Sequence, residues 1–444
     1  MAEPSFKGGV HPAYNKEATS TLAIVKMPLP QKVVVPMQQH IGAPCELLAD
    51  VEKIEKGFEV KAGQKLGDNK GFVSAPVHAP ISGTVVDIGP YNHPLGMKIN
   101  AVTIESDGRD EWMDNTKPAG SLDDLSVDEI RKIVREAGIV GLGGATFPAH
   151  VKLSPPEDKP IDIVIINGAE CEPYLTADHR VMLEKAEEII FGLRVMMKAL
   201  GASEGIIGVE NNKPDAYKLM ERLVAEEENI SAFSLPTKYP QGAEKMLIYV
   251  ATGRVVPAGA LPMEVGVVNH NVGTAVAITQ AIREGKPLVE RVLTVTGSGI
   301  NQPANLLVRL GTLVSEVLEY CGGISESTLK LVVGGPMMGL AQPTADIPVI
   351  KGTSGILALT DEDVYLAESS PCIRCAKCVS SCPMNLMPTS IAQAAEHGNY
   401  KRAEELYALD CFECGCCSYI CPSKIPLVQW IRIGKNEIMK RKNK

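Results

Sequence analysis

Eight cysteines near the carboxyl end of the chain repeat one spacing twice. The pattern CxxCxxCxxxCP is formed first by Cys372, Cys375, Cys378 and Cys382 and again by Cys411, Cys414, Cys417 and Cys421. Three thiolates at these gaps bind one iron–sulfur cube, and in two-cluster ferredoxins the fourth Cys binds the other cluster. The spacing therefore predicts two 4Fe-4S clusters with crossed ligands. The first is assigned Cys372, Cys375, Cys378 and Cys421, and the second Cys382, Cys411, Cys414 and Cys417.

Other uses of these cysteines fit the pattern less well. Structural zinc sites use CxxC pairs on either side of a long spacer and need no third Cys followed by a Cys-Pro. Disulfides are disfavoured because nothing else in the chain suggests an oxidising compartment. Cys416 lies beside Cys417 and is open as an alternative ligand, although only Cys417 gives both copies the same gaps.

The segment between the two cysteine copies, residues 387–410, predicts two short helices broken at Gly398 and Asn399. It resembles the α-helical ferredoxin module of multisubunit redox enzymes. Two neighbouring clusters transfer electrons and carry out no further chemistry. The question for the rest of the chain is therefore what stands at each end of this electron path.

Length and composition indicate a multidomain globular protein. The 444 residues favour about three domains, and the net charge of −9 argues against a nucleic-acid partner. The amino-terminal segment has no apolar signal-peptide core, and no apolar run approaches the ~18 residues that span a bilayer. We expect a soluble, cytoplasmic protein, so that any association with a membrane must come through partners. The sequence KRKNK, residues 440–444, is more typical of a solvated tail than of a lipid contact.

The first 118 residues show β character. Short β-branched runs bounded by turn residues occur at Lys32–Val35, Phe58–Val60 and Thr84–Ile88. The phrases EVKAGQKLGD and SAPVHAPISGTVVDIG resemble the two halves of a biotinyl/lipoyl-type barrel-sandwich hybrid. Lys70 is the nearest candidate for a modified carrier lysine, but its NKG setting lacks the usual flanks. We therefore expect a structural or docking domain over residues 1–118.

Residues 119–285 alternate between helices and strands. Ser126 is placed to cap a helix that Gly138 ends. Beyond it, strands are predicted at residues 161–167, 205–209 and 230–235, with helices at residues 176–200 and 214–228 between them. This order favours a Rossmann-like parallel sheet covered by helices, whose ligands bind at the carboxyl ends of the strands.

One loop of this domain is rich in glycine. The sequence GLGGATFPAHVKL contains Gly141, Gly143 and Gly144, which let a backbone approach a phosphate, and Lys152, which adds a positive charge. A tight turn packed against the sheet would explain the glycines equally well.

Further polar residues follow the predicted strands. Asn167, Glu170 and Glu172 come just after a strand, where they are placed to bind a ribose or a flavin or, alternatively, to cap the next helix. Two more loops, residues 239–248 and 267–278, add Gly242, Glu244, Asn271 and Thr274.

Together these loops resemble the flavin- and NADH-binding loops of the flavoprotein subunit of respiratory complex I, in the form found in RnfC proteins of the Rnf electron transport complex. The phrases FKGGVHP, SAPVHAPISGTV and TGRVVPAGALP share the resemblance, which covers nearly the whole chain. It implies FMN near Gly141, Gly143, Gly144, Lys152, Asn167, Asn271 and Thr274, with Glu170 close by. It also implies NAD(H) near Phe147, Glu172, Gly242 and Glu244. Ala169 and Ala243 stand where complex I carries acids, so the detailed contacts differ.

The remaining segments complete a multidomain α/β architecture. Residues 286–345, with a helix expected from Thr312 to Tyr320, resemble a β-grasp SLBB domain. Residues 346–365 are expected to be a linker, residues 366–436 the α-helical two-cluster ferredoxin domain, and residues 437–444 a basic tail.

The resemblance implies the NAD(H)-reactive peripheral subunit of an ion-translocating ferredoxin:NAD+ oxidoreductase. Electrons would pass between ferredoxin and NAD+ through ferredoxin-like and membrane-embedded partner subunits, the two clusters and FMN, coupled to Na+ or H+ translocation. FMN would carry out the hydride transfer, so no catalytic side chain is expected. The alternatives are a soluble flavin and iron–sulfur reductase, such as a cobalamin reductase, and a relay and docking protein without a working flavin site.

Overall fold

The structure, a computed structural model, describes residues 4–48, 57–114, 116–364 and 368–442. Its first strands are β1 (Ile24–Lys26), β2 (Lys32–Pro36), β3 (Glu46–Leu47), β4 (Phe58–Val60), β5 (Lys65–Asp68), β6 (Val77–His78), β7 (Gly83–Asn92) and β8 (Lys98–Ser106). Apart from β1, they form two antiparallel sheets with the orders β2-β8-β7-β4 and β3-β5-β6.

The two antiparallel sheets enclose one apolar core. Its members include Val33, Val35, Leu66, Ile81 and Ile104. Each such side chain contributes about 1.5–3 kcal/mol when it is removed from water. The predicted barrel-sandwich hybrid is confirmed, and Lys70 lies exposed just after β5.

The following domain is a parallel sheet covered by helices. The helices are α1 (Val127–Glu136), α2 (Ala149–Lys152), α3 (Ala177–Glu184), α4 (Ala186–Leu200), α5 (Pro214–Leu223), α6 (Glu244–Thr252) and α7 (Val272–Glu284). The strands are β9 (Ile163–Gly168), β10 (Glu204–Glu210), β11 (Ile230–Leu235) and β12 (Val267–Asn271). They pair in parallel in the order β11-β10-β9-β12, which confirms the predicted sheet. The one strand that was not expected is β12, which lies within the predicted loop 267–278.

Helix starts follow the sequence signals, whereas one long helix is split. Ser126 Oγ accepts a hydrogen bond from Glu129 N at 3.3 Å, and the Glu129 carboxylate accepts one from Ser126 N at 2.8 Å. This capping box begins α1 as predicted. The single helix expected over residues 176–200 is wrong, because Lys185 has a φ of −132° and separates α3 from α4. Similarly, α5 ends at Leu223 and does not continue to residue 228.

A six-stranded mixed sheet forms the third domain. The strands β13 (Glu290–Thr296), β14 (Ala304–Arg309), β15 (Lys330–Val333), β16 (Leu340–Gln342) and β17 (Gly355–Leu359) join β1 in the order β1-β14-β13-β17-β15-β16. Helix α8 (Val314–Tyr320) packs beside them. The linker expected over residues 346–365 is wrong at its centre, because β17 is wholly buried between β13 and β15.

Short helices and one longer helix carry the two cysteine copies. They are α9 (Lys377–Ser380), α10 (Pro388–Glu396), α11 (Tyr400–Glu405), α12 (Cys416–Ile420) and α13 (Leu427–Lys442). The predicted break at Gly398 and Asn399 separates α10 from α11. The expected basic tail is a helical turn as far as residue 442, where Lys442 pairs with Glu404 at 2.7 Å. Cations suit this position because they complement the dipole at a helix carboxyl end. In the part of the chain that the structure describes, no helix is both long and apolar enough to cross a membrane.

Candidate functional site

The order of the parallel sheet reverses between β9 and β12. Strands β10 and β11 follow on one side of β9, whereas the last strand, β12, pairs with its other side. Asn167 on β9 and Asn271 on β12 are register partners at the carboxyl ends of these strands. Open α/β sheets bind their ligands in the crevice at such a reversal. Two of the predicted cofactor-binding residues therefore lie where a nucleotide cofactor is expected, in what we call the sheet crevice.

Hydrogen bonds fix both asparagines and draw their loops together. Asn167 Nδ2 donates to Gly242 O at 2.9 Å, and Asn167 Oδ1 accepts from Ala169 N at 3.1 Å. Asn271 Oδ1 accepts from Gly273 N at 2.8 Å and so caps α7. The loops that contain Gly242 and Asn271 consequently border the same crevice.

The glycine-rich loop lies over the start of α7. Gly141 N donates to Phe147 O at 2.8 Å, which closes the loop and leaves Phe147 half-buried. Thr274 Oγ1, in the first turn of α7, accepts from Leu142 N at 3.0 Å. The loop is therefore anchored to the helix that begins at the crevice.

The tip of this loop presents open backbone. A Cβ added at Gly143 would lie 3.3 Å from Asn271 Cβ, which places Gly143 beside the crevice. Gly144 has a φ of +120°, and a Cβ there would meet nothing within 4 Å. Backbone N–H groups of such a loop and the amino end of a 13-residue helix attract anions. The geometry favours a phosphate cradle over a turn packed on the sheet.

Lys152 and Glu244 form an ion pair at the edge of the crevice. Lys152 Nζ lies 2.7 Å from Glu244 Oε1 and donates to Asn269 O at 3.1 Å. Both charged side chains are partly exposed, at 28% and 36%. A ligand that enters the crevice can therefore reach one cation and one anion.

The two acids after β9 are engaged by the protein itself. Glu170 accepts from Asp178 N at 2.6 Å and from His179 N at 3.2 Å, so it caps α3, which was the alternative that the sequence left open. Glu172 accepts from Met337 N at 3.0 Å and Met338 N at 2.9 Å, in the SLBB domain. Burial raises the pKa of Glu172 to about 7. Both carboxylates hold loops in place in this structure.

Residues that the sequence did not single out complete the surroundings. Asn271 Nδ2 donates to Asp178 Oδ2 at 2.6 Å, and burial together with the nearby Glu170 carboxylate raises the pKa of Asp178. Lys16 Nζ donates to the carbonyls of Glu170 and Glu172, each at 2.9 Å. Asp178 was detectable as an acid in the first turn of a helix. Lys16 lies far away in the sequence and has no local signal.

Cysteines from both copies meet in one pocket. It is lined by Cys382 of the first copy and by Cys411, Cys414, Cys416 and Cys417 of the second. Apolar Leu386, Val428 and Ile431 close it. The pocket thus contains the four ligands predicted for the second cluster. The thiols line it without converging: within the described ranges, no group of three or more His, Cys, Asp or Glu side chains is arranged so that it could hold a metal ion.

The other four predicted ligands are divided between the surface and the interior. Cys372 and Cys375 are exposed, whereas Cys378 and Cys421 are buried. Ser370 N donates to Ser423 O at 2.9 Å, which ties the chain just before the first copy to the chain just after the second. A contact between these two segments is compatible with the crossed ligation predicted for Cys372 and Cys421.

The crevice and the cysteine pocket are connected through Tyr239. This side chain is 1% exposed, and its Oη donates to Cys414 O at 2.8 Å. Val10 and Cys416 belong to the same buried cluster. Because Tyr239 also begins the loop that carries Gly242, one buried segment touches both candidate sites.

Family models match four successive parts of the chain. A RnfC barrel-sandwich hybrid domain matches residues 4–109, a Nuo51 FMN-binding domain residues 134–280, an SLBB domain residues 292–341 and a 4Fe-4S dicluster domain residues 371–425. The second match contains the sheet crevice, and the fourth contains all eight motif cysteines. The fold and these sites define a flavin and iron–sulfur electron-transfer protein.

Similar proteins extend over almost the whole chain. The RnfC protein of the proton-translocating ferredoxin:NAD(+) oxidoreductase complex of Clostridium ljungdahlii is 49% identical over 98% of this chain and 94% of its own. The corresponding protein of the Na(+)-translocating complex of Acetobacterium woodii is 48% identical over 99% of this chain and 98% of its own. The chain belongs to the RnfC family of ion-translocating oxidoreductase complexes.

Two further similarities are more distant. The RnfC protein of the ion-translocating oxidoreductase complex of Rhodobacter capsulatus is 42% identical over 99% of this chain and 84% of its own. A chain of an NAD+-reducing NiFe hydrogenase has a TM-score of 0.49 at 18% identity, over 72% of this chain and 65% of its own. That last likeness is too weak to carry an argument about function.

Proposed function

We propose that this chain is the NAD(H)-reactive subunit of an ion-translocating ferredoxin:NAD(+) oxidoreductase complex. The family and the two cofactor domains support this proposal. NAD(H) exchanges a hydride, which is two electrons and one proton, whereas a 4Fe-4S cluster exchanges one electron. FMN, when bound, accepts two electrons together and releases them singly. The chain then joins a nicotinamide to carriers of single electrons.

The observation that carries the proposal is the buried segment between the two sites. Gly242 O accepts from Asn167 at the crevice, while Tyr239 Oη donates to Cys414 O at 2.8 Å. Residues 239–242 therefore hold the crevice and the second cysteine copy at a fixed separation. Because Tyr239 is buried, its contact with the second cysteine copy lies inside the protein and away from solvent.

The residues around the crevice fit a flavin mononucleotide. The open backbone at Gly143 and Gly144 suits its phosphate, helped by the amino end of α7. Gln241, the neighbour of Gly242, is completely buried, and neither of its amide atoms has a partner among the described residues, so this loop contains a buried amide that a ligand could satisfy. We place the nicotinamide next to Phe147 and Glu244, which border the same opening.

The first cluster is the proposed point of exchange with protein partners. Residues 368–377, which include Cys372 and Cys375, are exposed without interruption, whereas the second copy is largely enclosed. Electrons from ferredoxin would arrive here through ferredoxin-like and membrane-embedded subunits. In this proposal the chain lies at the cytoplasmic face of the membrane, and its partner subunits drive Na+ or H+ translocation.

An anaerobic NADH titration of the full chain, reconstituted with iron, sulfide and FMN, tests this function. We expect NADH to bleach both the flavin and the cluster absorbance bands. Clusters that dithionite reduces but NADH does not would favour the relay and docking alternative. The soluble reductase would be favoured if the chain used NADH to reduce free cobalamin and did not copurify with membrane subunits.

A charge variant with a matched control tests the site itself. Lys152→Gln removes the cation that we assign to the flavin phosphate and should weaken FMN binding roughly tenfold, which is about 1.4 kcal/mol. Lys159 forms an ion pair of the same 2.7 Å length with Glu264, away from the crevice, so Lys159→Gln is the control. Flavin fluorescence titration measures both dissociation constants. Equal dissociation constants for the two variants would show that Lys152 does not contribute to FMN binding.

A further inference from the structure

The segment Phe6–Val10, which we call the strap, lies between the flavin domain and the ferredoxin domain. Its sequence FKGGV is part of FKGGVHP, one of the phrases shared with RnfC proteins. Membership of the family does not by itself give this segment a role in the proposed electron path. The strap lies outside the parallel sheet and carries no predicted ligand. Its contacts nevertheless converge on the two sites that exchange electrons.

On one side, the strap is fastened to the flavin domain. Val10 N donates to Tyr239 O at 2.8 Å, and Tyr239 N donates to Val10 O at 2.9 Å. Lys238 Nζ donates to Phe6 O at 2.7 Å and lies 4.5 Å from the centre of the Phe6 ring. The strap is therefore paired with the same segment that links the crevice to Cys414.

On its other side, the strap touches the first cysteine copy. Gly9 N donates to Ser381 O at 2.8 Å. Gly8 has a φ of +79°, and a Cβ there would lie 2.8 Å from Cys382 O and 2.9 Å from Cys382 C. Only glycine allows this backbone-to-backbone approach. The strap thus lies directly against the residue predicted to complete the second cluster.

The second cluster needs support from both cysteine copies because its ligands come from both. Tyr239 holds the second copy through the hydrogen bond to Cys414 O at 2.8 Å. The strap holds the first copy at Ser381 and Cys382. The strap is itself paired with Tyr239. The same segment of the flavin domain therefore holds both cysteine copies, one directly and one through the strap.

We propose that the strap is a positioning element that fixes the Cys382 half of the second cluster relative to the flavin crevice. This inference rests on the proposed electron path from NADH to the clusters. It assigns to Gly8 and Gly9 a role in the speed of transfer between the two sites, not in binding either cofactor. Electron transfer through protein slows exponentially as donor and acceptor move apart, so a displacement of the second cluster relative to the flavin should lower the transfer rate.

The test compares Gly8→Ala with Gly96→Ala in the full reconstituted chain. Gly96 has a φ of +80°, close to that of Gly8, but a Cβ there would meet nothing within 4 Å. The two variants therefore share the backbone strain and differ in the contact with Cys382. Stopped-flow absorbance follows flavin bleaching and cluster bleaching separately after mixing with NADH.

For Gly8→Ala we expect flavin bleaching at the wild-type rate and cluster bleaching slowed severalfold, because the added Cβ pushes Cys382 away from the flavin domain. Gly96→Ala should match the wild type in both phases. Cluster bleaching at the wild-type rate in Gly8→Ala, well below its unfolding temperature, would overturn the proposal and leave the strap a stabilising contact only. Absence of flavin bleaching in the wild type would instead overturn the proposed function.

A second variant covers the case in which Gly8→Ala does not fold. Lys238→Met keeps most of the unbranched side chain and removes its hydrogen bond to Phe6 O without straining any backbone. It should slow cluster bleaching in the same phase, and the midpoint potential of the second cluster should shift from the wild-type value. An unchanged rate together with an unchanged potential would count against the strap as a positioning element.

Discussion

At the scale of single residues, the second cysteine copy contains one thiol more than its cluster needs. Cys416 and Cys417 are adjacent and buried, and both line the same pocket. Their surroundings differ, because Cys417 packs with Cys378 in the core of the ferredoxin domain. Cys416 faces the flavin domain, with its Sγ 4.0 Å from Tyr239 O. These contacts support Cys417 as the ligand and Cys416 as a residue of the interface.

Removing each thiol in turn tests that assignment. Cys417→Ala should lose one cluster and retain about four irons per chain, whereas Cys416→Ala should retain about eight. The measurements are iron and acid-labile sulfide after anaerobic reconstitution, together with the electron paramagnetic resonance spectrum of the reduced protein. The opposite pattern would make Cys416 the ligand.

The residue types in the sequence indicated the chemistry of the site. The hydrogen-bond partners of each residue could be identified only from the folded structure. Asn167 and Asn271 were both identified from their loops, and only the parallel pairing of β9 with β12 shows that they are register partners. Glu170 and Glu172 stand two positions apart and bind different domains. Glu170 has a φ of +47°, so the backbone turns between them, and no local pattern encodes that turn.

At the scale of elements, helices α4 and α7 pack closely behind the crevice. A Cβ at Gly192 of α4 would lie 2.3 Å from Ala275 O of α7, so glycine lets the two backbones touch. Thr279 Oγ1 donates to Glu188 O at 2.6 Å across the same contact. Because α7 begins at Asn271, the placement of the crevice residues depends on this packing.

Gly192→Ala should therefore push α7 outward and weaken flavin binding. Overpacking of this kind costs about 1–3 kcal/mol. Flavin fluorescence gives the dissociation constant, and thermal unfolding gives the loss of stability. Gly89→Ala is the control, because a Cβ at Gly89 would meet nothing within 4 Å. A destabilised Gly192→Ala protein with wild-type flavin affinity would contradict the link between α4 and the crevice.

The sequence predicted the ends of helices and strands correctly where a turn or cap residue marks them. It missed the boundaries that no such residue marks. Ser126 with Glu129 marked the start of α1 correctly. The break at Lys185 lies in LEKAEE, which contains no glycine or proline. Strand β17, with the sequence GILAL, is buried on both faces, so it lacks the alternation that identifies a strand.

At the scale of the whole molecule, one buried lysine joins three domains. Lys351 precedes β17 and is 1% exposed. Its Nζ donates to Pro76 O of the barrel-sandwich domain at 2.8 Å and to Gly138 O of the flavin domain at 2.7 Å. The backbone N–H of Lys351 donates to Gln39 Oε1 at 3.1 Å. The residue lies in the segment expected to be a linker, which shows why domain limits could not be read from local sequence.

Lys351→Met should loosen this junction and lower the thermal unfolding midpoint at neutral pH. It leaves two buried carbonyls without a charged donor, and each such hydrogen bond contributes about 1.5–3 kcal/mol. Lys401→Met is the control, because Lys401 is exposed on α11. A Lys351→Met protein as stable as the control would show that the junction does not depend on the lysine.

The difference between the two unfolding midpoints should also depend on pH, because the buried amine of Lys351 releases its proton at a lower pH in the folded protein than in the unfolded chain. Burial lowers the pKa of Lys351 to about 8. Above that pH the folded protein has released a proton that the unfolded chain still holds, so rising pH stabilises the wild type relative to Lys351→Met. The gain is roughly 1.4 kcal/mol per pH unit up to the ordinary lysine pKa, and it is absent below about pH 8. Burial also raises the pKa of Cys45 and lowers that of His78 to about 3, so both neighbours stay neutral near pH 8.

The difference between the unfolding midpoints of the wild type and Lys351→Met should therefore be larger at about pH 9.5 than at about pH 7. An equal difference at the two pH values would mean that the buried amine does not titrate in this range.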